Sequence, residues 1–145
     1  MSKFKKNIVQ RNKYLDDAGI KPENYGVNFT DKKDKRRRKW KKQRKIYGFD
    51  ARETWNLDSS FAEWLYTRCS MYLDEAKDIV DLDYHKITYN DKEYTQREAI
   101  EKVKKWSLYY VKNKYSADQI VSERAHKSLT KACELWAILV HYMWW

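Results

Sequence analysis

Residues that break or turn the chain are scarce in this sequence. Its 145 residues include only three glycines, and Pro22 is the single proline. Because an all-β fold needs many tight turns, this scarcity favours a few long helices. A chain of this length buries roughly 70% of the surface that it exposes when unfolded, so it can support a hydrophobic core. We expect a mainly α protein: a small bundle of three core helices with a short β-hairpin and a basic N-terminal helical arm.

The positive charge is concentrated in the N-terminal third of the chain. Residues 1–45 contain 17 Lys and Arg against 5 Asp and Glu, a net +12, whereas residues 46–145 contain 14 against 16, a net −2. A field of one sign attracts phosphate or an acidic protein surface. We therefore divide the chain into a basic N-terminal helical arm, residues 1–45, and a helical core domain, residues 46–145.

The arm contains two predicted helices. The first can run from a cap at Ser2 through Asp17, with Phe4, Ile8 and Leu15 on one face. The second can begin at Thr30 or Asp31 and end near Ile46.

The second helix carries an unusually dense charge. Of residues 32–45, 11 of 14 are Lys or Arg, and Trp40 is the only apolar side chain. No face of this helix can drive packing into a core, and like charges four residues apart repel. We expect the helix to fray when free and to form when its charge is neutralised.

This basic run predicts a nucleic-acid-binding segment. Arginine binds phosphate through two hydrogen bonds, and Trp40 can stack on a base or a sugar. Arginine-rich segments commonly fold on RNA, although the major groove of DNA also accepts such a helix, so RNA is slightly favoured over DNA. The predicted nucleic-acid-binding residues are Lys32, Lys33, Lys35, Arg36, Arg37, Arg38, Lys39, Trp40, Lys41, Lys42, Arg44 and Lys45.

Residues 47–58 bring acidic and aromatic side chains together. Asp50 with Glu53 resembles a capping box for one helical turn. A recognition loop or a paired-carboxylate site is the alternative. We interpret the acids as caps and expect Phe49, Trp55 and Leu57 to fill the core.

A long helix is predicted to follow this segment. Asp58, or Ser60 with Glu63, can begin it. Its predicted apolar face consists of Phe61, Trp64, Leu65, Cys69, Tyr72, Ala76, Ile79 and Val80.

Local patterns define the rest of the core domain. β-Forming residues on both sides of Asn90-Asp91 predict a hairpin. Thr95 with Glu98 forms a capping box for the next helix, and Ser116 with Gln119 can open the last one.

The stretch Gly48-Phe49-Asp50-Ala51-Arg52-Glu53-Thr54-Trp55-Asn56-Leu57-Asp58, with Lys92-Glu93-Tyr94-Thr95, resembles a set of small bacteriophage proteins. The resemblance covers residues 46–112 and implies a phage or prophage origin. That family has no established activity, so the resemblance assigns no functional residues.

The C-terminal turns are apolar nearly all round. They can pack in the core or form an interface with a protein or a second copy of the chain, so a homo-oligomer stays open. The predicted interface residues are Trp136, Tyr142, Trp144 and Trp145.

No pattern indicates catalysis or a cofactor. Cys69 and Cys133 lie 64 residues apart without metal-ligand spacing to the histidines, and no glycine-rich phosphate loop is present. We expect no enzyme activity, no cofactor and no metal. With no secretory signal or membrane-spanning segment, we expect a cytoplasmic protein, in the host bacterium if phage-encoded, with no membrane partner.

Two other functions fit the same pattern. One is a phage inhibitor of a bacterial nucleoprotein defence, of the anti-CRISPR type, whose basic arm occupies a nucleic-acid surface of the host complex. The other is a virion protein associated with the genome.

Overall fold

The computed structural model describes residues 12–21 and 34–144. Most of the predicted first helix and the predicted cap at Thr30 or Asp31 lie outside these residues, as do Lys32, Lys33 and Trp145. The chain forms two compact units, Met1–Phe61 and Ala62–Trp145, called here the N-terminal and C-terminal units. The division into an arm of residues 1–45 and a core of residues 46–145 stays a prediction.

The N-terminal unit contains two helices and a 3-10 turn in its described part. Helix α1 spans Lys13–Asp17, and the Asn12 side chain caps it by accepting from the amides of Tyr14 and Leu15. Helix α2 spans Arg37–Tyr47, and the 3-10 turn spans Ala51–Thr54. The predicted second helix is therefore present over Arg37–Tyr47.

Helix α3 spans Leu57–Ala76 and confirms that a long helix follows the 3-10 turn. It begins at Leu57, before the predicted starts at Asp58 and Ser60, which lie within its first turn. Its buried face differs from the predicted one, because Phe61 and Trp64 are exposed and because Ile79 and Val80 lie beyond the end of the helix at Ala76. The buried residues follow helical spacing on a face rotated towards Ala62 and Leu73. The large aromatic residues lie at the edge of this face, where part of each ring meets solvent. The buried face consists of Ala62, Leu65, Cys69, Leu73 and Ala76.

The predicted hairpin is confirmed. Strand β1, Lys86–Tyr89, pairs with the antiparallel strand β2, Lys92–Thr95. The two-residue loop has φ of +49° at Asn90 and +60° at Asp91. A type I′ turn requires positive φ at both central residues, and Asn and Asp tolerate that conformation.

Two further helices complete the bundle. Helix α4, Gln96–Asn113, begins at the predicted capping box, in which Thr95 Oγ1 accepts from the Glu98 amide and the Glu98 carboxylate accepts from the Thr95 amide. Helix α5 spans Gln119–Leu139. Asp118, rather than the predicted Ser116, caps it, because the Asp118 carboxylate accepts from the amides of residues 120 and 121.

The core of the C-terminal unit is apolar and receives side chains from all three helices and the hairpin. These are Leu65, Cys69, Leu73, Leu82, Ile87, Tyr89, Ala99, Ile100, Val103, Ala132, Leu135 and Leu139. The mainly α bundle of three core helices with a hairpin is thus confirmed. Within the described ranges, each helix is too short or too polar to cross a membrane.

Candidate nucleic-acid interface

Helix α2 is anchored by its one tryptophan. Trp40 is only 3% exposed, and its ring meets that of Trp55 edge to face with the centroids 5.6 Å apart. The prediction that Trp40 stacks on a base is therefore wrong for this structure, because its ring is enclosed. The prediction that no face of the helix can pack is wrong for the same reason.

Arginine side chains enclose this tryptophan pair. The Arg52 guanidinium lies 4.6 Å from the Trp40 ring centroid, and Arg36 lies 5.1 Å from Trp40 and 5.2 Å from Trp55. These distances suit cation–π interactions, which strengthen where the cation is removed from water. The Arg36 guanidinium also pairs with the Asp34 carboxylate at 3.0 Å.

A buried carboxylate holds α2 against the 3-10 turn. Asp50 is 1% exposed and Arg52 is 2% exposed. The Asp50 carboxylate accepts from Arg52 Nε at 2.9 Å and Nη2 at 2.7 Å, and from Arg44 Nη2 at 2.8 Å. One carboxylate thus joins an arginine of α2 to an arginine of the turn. Both guanidinium groups donate charge-assisted hydrogen bonds to it, and these are stronger than hydrogen bonds between neutral groups.

The same contacts set the ionisation of Asp50. Burial by itself would raise its pKa, but the hydrogen bonds from Arg52 and Arg44 outweigh burial and lower the pKa to about 2. The carboxylate is therefore charged at neutral pH, as a partner of two guanidinium groups must be.

The sequence interpretation of residues 47–58 is half correct. Asp50 does cap the 3-10 turn, since it accepts from the Arg52 amide at 3.0 Å. Phe49, Trp55 and Leu57, however, are exposed and do not fill the core. The side chains that are buried at this place are Asp50 and Arg52, and their hydrogen-bonded pairing offsets part of the cost of taking each charge out of water.

The opposite side of α2 carries exposed cations. Arg38, Lys41, Lys42 and Lys45 recur at the i, i+3, i+4 and i+7 positions, so they lie on one face. Within the described ranges, none of these four forms an ion pair. Lys35, Arg37 and Lys39 are also exposed and unpaired there. We call Arg38, Lys41, Lys42 and Lys45 the cationic face.

An open cleft beside Trp40 collects further positive charge. Its volume is about 300 Å³, and it is lined by Arg37, Arg38, Trp40, Lys41, Arg44 and Arg52. Of its five cations, Arg44 and Arg52 are already paired with Asp50, which leaves Arg37, Arg38 and Lys41 for an anion. Such an arrangement is suited to an anion with several oxygen acceptors, such as phosphate.

The structure divides the predicted nucleic-acid-binding residues into two groups. Arg36, Trp40 and Arg44 make contacts within the chain that position α2. The residues that are exposed and form no ion pair within the described ranges are Lys35, Arg37, Arg38, Lys39, Lys41, Lys42 and Lys45.

The predicted partner interface is not one uniform surface. Trp136 is half-buried against Trp64, with ring centroids 5.8 Å apart, and Tyr142 lies 5.1 Å from the ring of His85. Trp144 is 77% exposed. Trp136 and Tyr142 therefore have packing roles within the C-terminal unit, and binding of a partner there stays a prediction.

Both cysteines of the chain are free thiols in the described ranges. Burial raises the pKa of Cys69 to about 12 and also raises the pKa of Cys133, so both thiols are protonated at neutral pH. In residues 12–21 and 34–144, no group of three or more His, Cys, Asp or Glu side chains could hold a metal ion.

Sequence reasoning missed Asp50 and Arg52 as the anchor of α2. One usable indication of the docked side of α2 was present, since Trp40 is the only apolar side chain among residues 32–45. Comparison with models of protein families, curated proteins and solved structures gives no match to this chain.

Proposed function

We propose that this protein is a non-enzymatic nucleic-acid-binding protein and that the cationic face of α2 contacts the phosphate backbone. The observation that carries the proposal is the two-sided construction of α2. On one side of α2, Trp40 and Arg44 contact Trp55 and Asp50. The other side presents Arg38, Lys41, Lys42 and Lys45, which have no acidic partners among the described residues. Neutralised phosphates release counterions, which is the main source of affinity in such contacts.

Solubility alone is a poor explanation of this arrangement. Helix α2 carries seven Lys or Arg and no acidic residue. Like charges four residues apart, as in Arg38–Lys42 and Lys41–Lys45, each destabilise a helix by about 0.2–0.5 kcal/mol. Dispersed lysines would give the same net charge without that cost. A polyanion that spans the face relieves it.

Fluorescence anisotropy with a labelled RNA and a labelled DNA of about 20 nucleotides, from about 50 to about 300 mM NaCl, tests the proposal. The test variant replaces the cationic face, Arg38, Lys41, Lys42 and Lys45, with Gln. The control variant replaces Lys77, Lys105, Lys112 and Lys127 of the C-terminal unit with Gln, so both variants carry a net charge of +6, four below the +10 of the chain. Loss of four phosphate contacts should reduce the log–log salt slope by about 3.

The control variant should keep nearly all of the affinity and slope of the natural sequence. Circular dichroism should show equal helix content for both variants, because all eight positions are at the helix surface or in a turn. Equal weakening by the two variants would show that only net charge matters and would contradict the proposal.

A further inference from the structure

Three large apolar side chains are exposed where α2 ends. Ile46 is 70% exposed, Tyr47 is 66% exposed and Phe49 is 48% exposed. Gly48 separates the two rings and has φ of +82°, a left-handed conformation that stops the helix. The Tyr47 and Phe49 ring centroids lie 6.5 Å apart with the planes tilted by 46°. Two aromatic faces are therefore offered side by side to solvent.

Cations border this apolar surface. A second open cleft is lined by Arg38, Lys39, Lys42, Gln43, Ile46 and Tyr47. Lys42 and Ile46 are four residues apart on α2, a spacing at which side chains are neighbours, about 5–6 Å between Cβ atoms. One cleft is thus lined by three cations together with the apolar Ile46 and the aromatic Tyr47, and Phe49 lies beside Tyr47.

From this juxtaposition we infer that the ligand is single-stranded nucleic acid, with bases stacked on Tyr47 and Phe49 while adjacent phosphates lie on Arg38, Lys39 and Lys42. The inference rests on the proposed function and names its substrate class. Proteins that bind single strands combine a cationic groove with aromatic side chains on which bases stack. Cations alone would bind any polyanion, so Tyr47 and Phe49 are the residues that favour a single strand over other polyanions.

A duplex offers no base faces to Tyr47 and Phe49. Its bases are already stacked on one another, and only their edges are accessible in the grooves. Tyr47 and Phe49 would then remain in water beside a phosphate backbone with nothing to stack on. An unpaired strand has free base faces, and those bases can be splayed onto an aromatic side chain.

The decisive variant is Tyr47→Leu with Phe49→Leu, which keeps apolar side chains and removes both π faces. Ile79 and Tyr115, exposed residues of the C-terminal unit, provide the control as I79A with Y115L. Labelled oligouridine, labelled oligothymidine and a duplex of equal length are the probes. Affinity is measured at several salt concentrations, so the stacking and the charge contributions are separated.

The natural sequence should bind either single strand at least about 10-fold more tightly than the duplex, since each stacked base adds affinity. The Leu double variant should lose about 5-fold or more for each ring, without a change in salt slope. The control should lose nothing. Equal dependence on the rings for oligouridine and oligothymidine supports the inference, because bases of both have a π face.

The inference is overturned if the duplex binds as tightly as the single strands, or if the Leu double variant binds every probe like the natural sequence. The latter result would show that the rings take no part in binding nucleic acid. In either case, weak binding by the cationic-face variant would leave the proposed function standing. Failure of all three probes to bind the natural sequence would overturn both.

Discussion

The two units of this protein differ in what they bury around their helices. The C-terminal unit buries leucine, isoleucine and valine side chains from three helices, such as Leu65, Ile100 and Leu135. The N-terminal unit, in its described part, buries Leu15 and Ile20 near its start, and around Trp40 it buries a carboxylate and an arginine, Asp50 and Arg52. A segment that is nearly free of apolar residues can therefore be ordered by one tryptophan and one shared carboxylate.

This difference predicts different sensitivities. An apolar core responds to lost volume, since a deleted side chain removes contacts and leaves a cavity. A buried ion pair responds to the loss of one partner, since the remaining charge is then buried without compensation. Variants in the two units should separate these behaviours.

The largest effect is expected for Asp50→Ala. Arg44 and Arg52 would lose their shared carboxylate while Arg52 is still buried, a change that costs about 3–5 kcal/mol. Hydrogen exchange of the α2 amides should therefore become much faster, because local opening becomes easier. Glu53→Ala is the control: Glu53 lies 3.8 Å from Arg44 and is partly exposed, so its loss should change exchange little. Similar exchange in both variants would refute the anchoring role of Asp50.

The next effect is expected for Leu135→Ala in the C-terminal unit. Leu135 is fully buried, so the substitution should lower the free energy of unfolding by about 3 kcal/mol, measured by urea denaturation. Ile138→Ala, on an exposed position of the same helix, should cost much less. Equal loss of protection of the α2 amides in Leu135→Ala and in Asp50→Ala would contradict the expectation that the two units respond separately.

Acid should weaken the N-terminal unit selectively. The pKa of Asp50 is about 2 in the fold against an ordinary value of 3.8, so its contribution is present above pH 4 and is lost as the pH falls towards 2. This difference corresponds to about 2 kcal/mol. Hydrogen exchange measured at descending pH, corrected for the intrinsic rate, should show α2 losing protection in this window. In Asp50→Ala the additional loss should be absent.

The smallest effect is expected for Thr95→Ala at the start of α4. The capping box would lose the hydroxyl that accepts from the Glu98 amide, which should cost about 1 kcal/mol in urea denaturation. Thr88→Ala, on the exposed side of β1, is the control. A loss in Thr88→Ala as large as in Thr95→Ala would argue that the cap contributes nothing specific.

Local interactions explain which features the sequence predicts. The hairpin depends on Asn90-Asp91 and the start of α4 on Thr95 and Glu98, and in each case the interacting residues lie within a few positions of one another. The start of α5 was misplaced by two residues, because Ser116 and Asp118 both have side chains that can cap a helix. When two neighbouring residues can both cap a helix, the sequence does not show which one does, because the choice depends on the backbone conformation.

The anchor of α2 could not be predicted in the same way. Asp50 is joined to Arg44 across six positions, and several other arginines in the segment were equally available. Apolar character led to the expectation that Phe49, Trp55 and Leu57 would be buried. The side chains buried there are instead Trp40, Asp50 and Arg52. The sequence therefore did not predict that Ile46, Tyr47 and Phe49 are exposed beside the cations of α2.

The anchoring of α2 by Trp40 and Asp50 has a consequence for binding kinetics and heat capacity. Because contacts within the chain fix the helix, engagement of its cationic face would require little ordering of the backbone. Association should then be a single fast phase steered by charge, and its rate should fall steeply with ionic strength. The heat-capacity change should be small, without the large negative value that accompanies folding on binding.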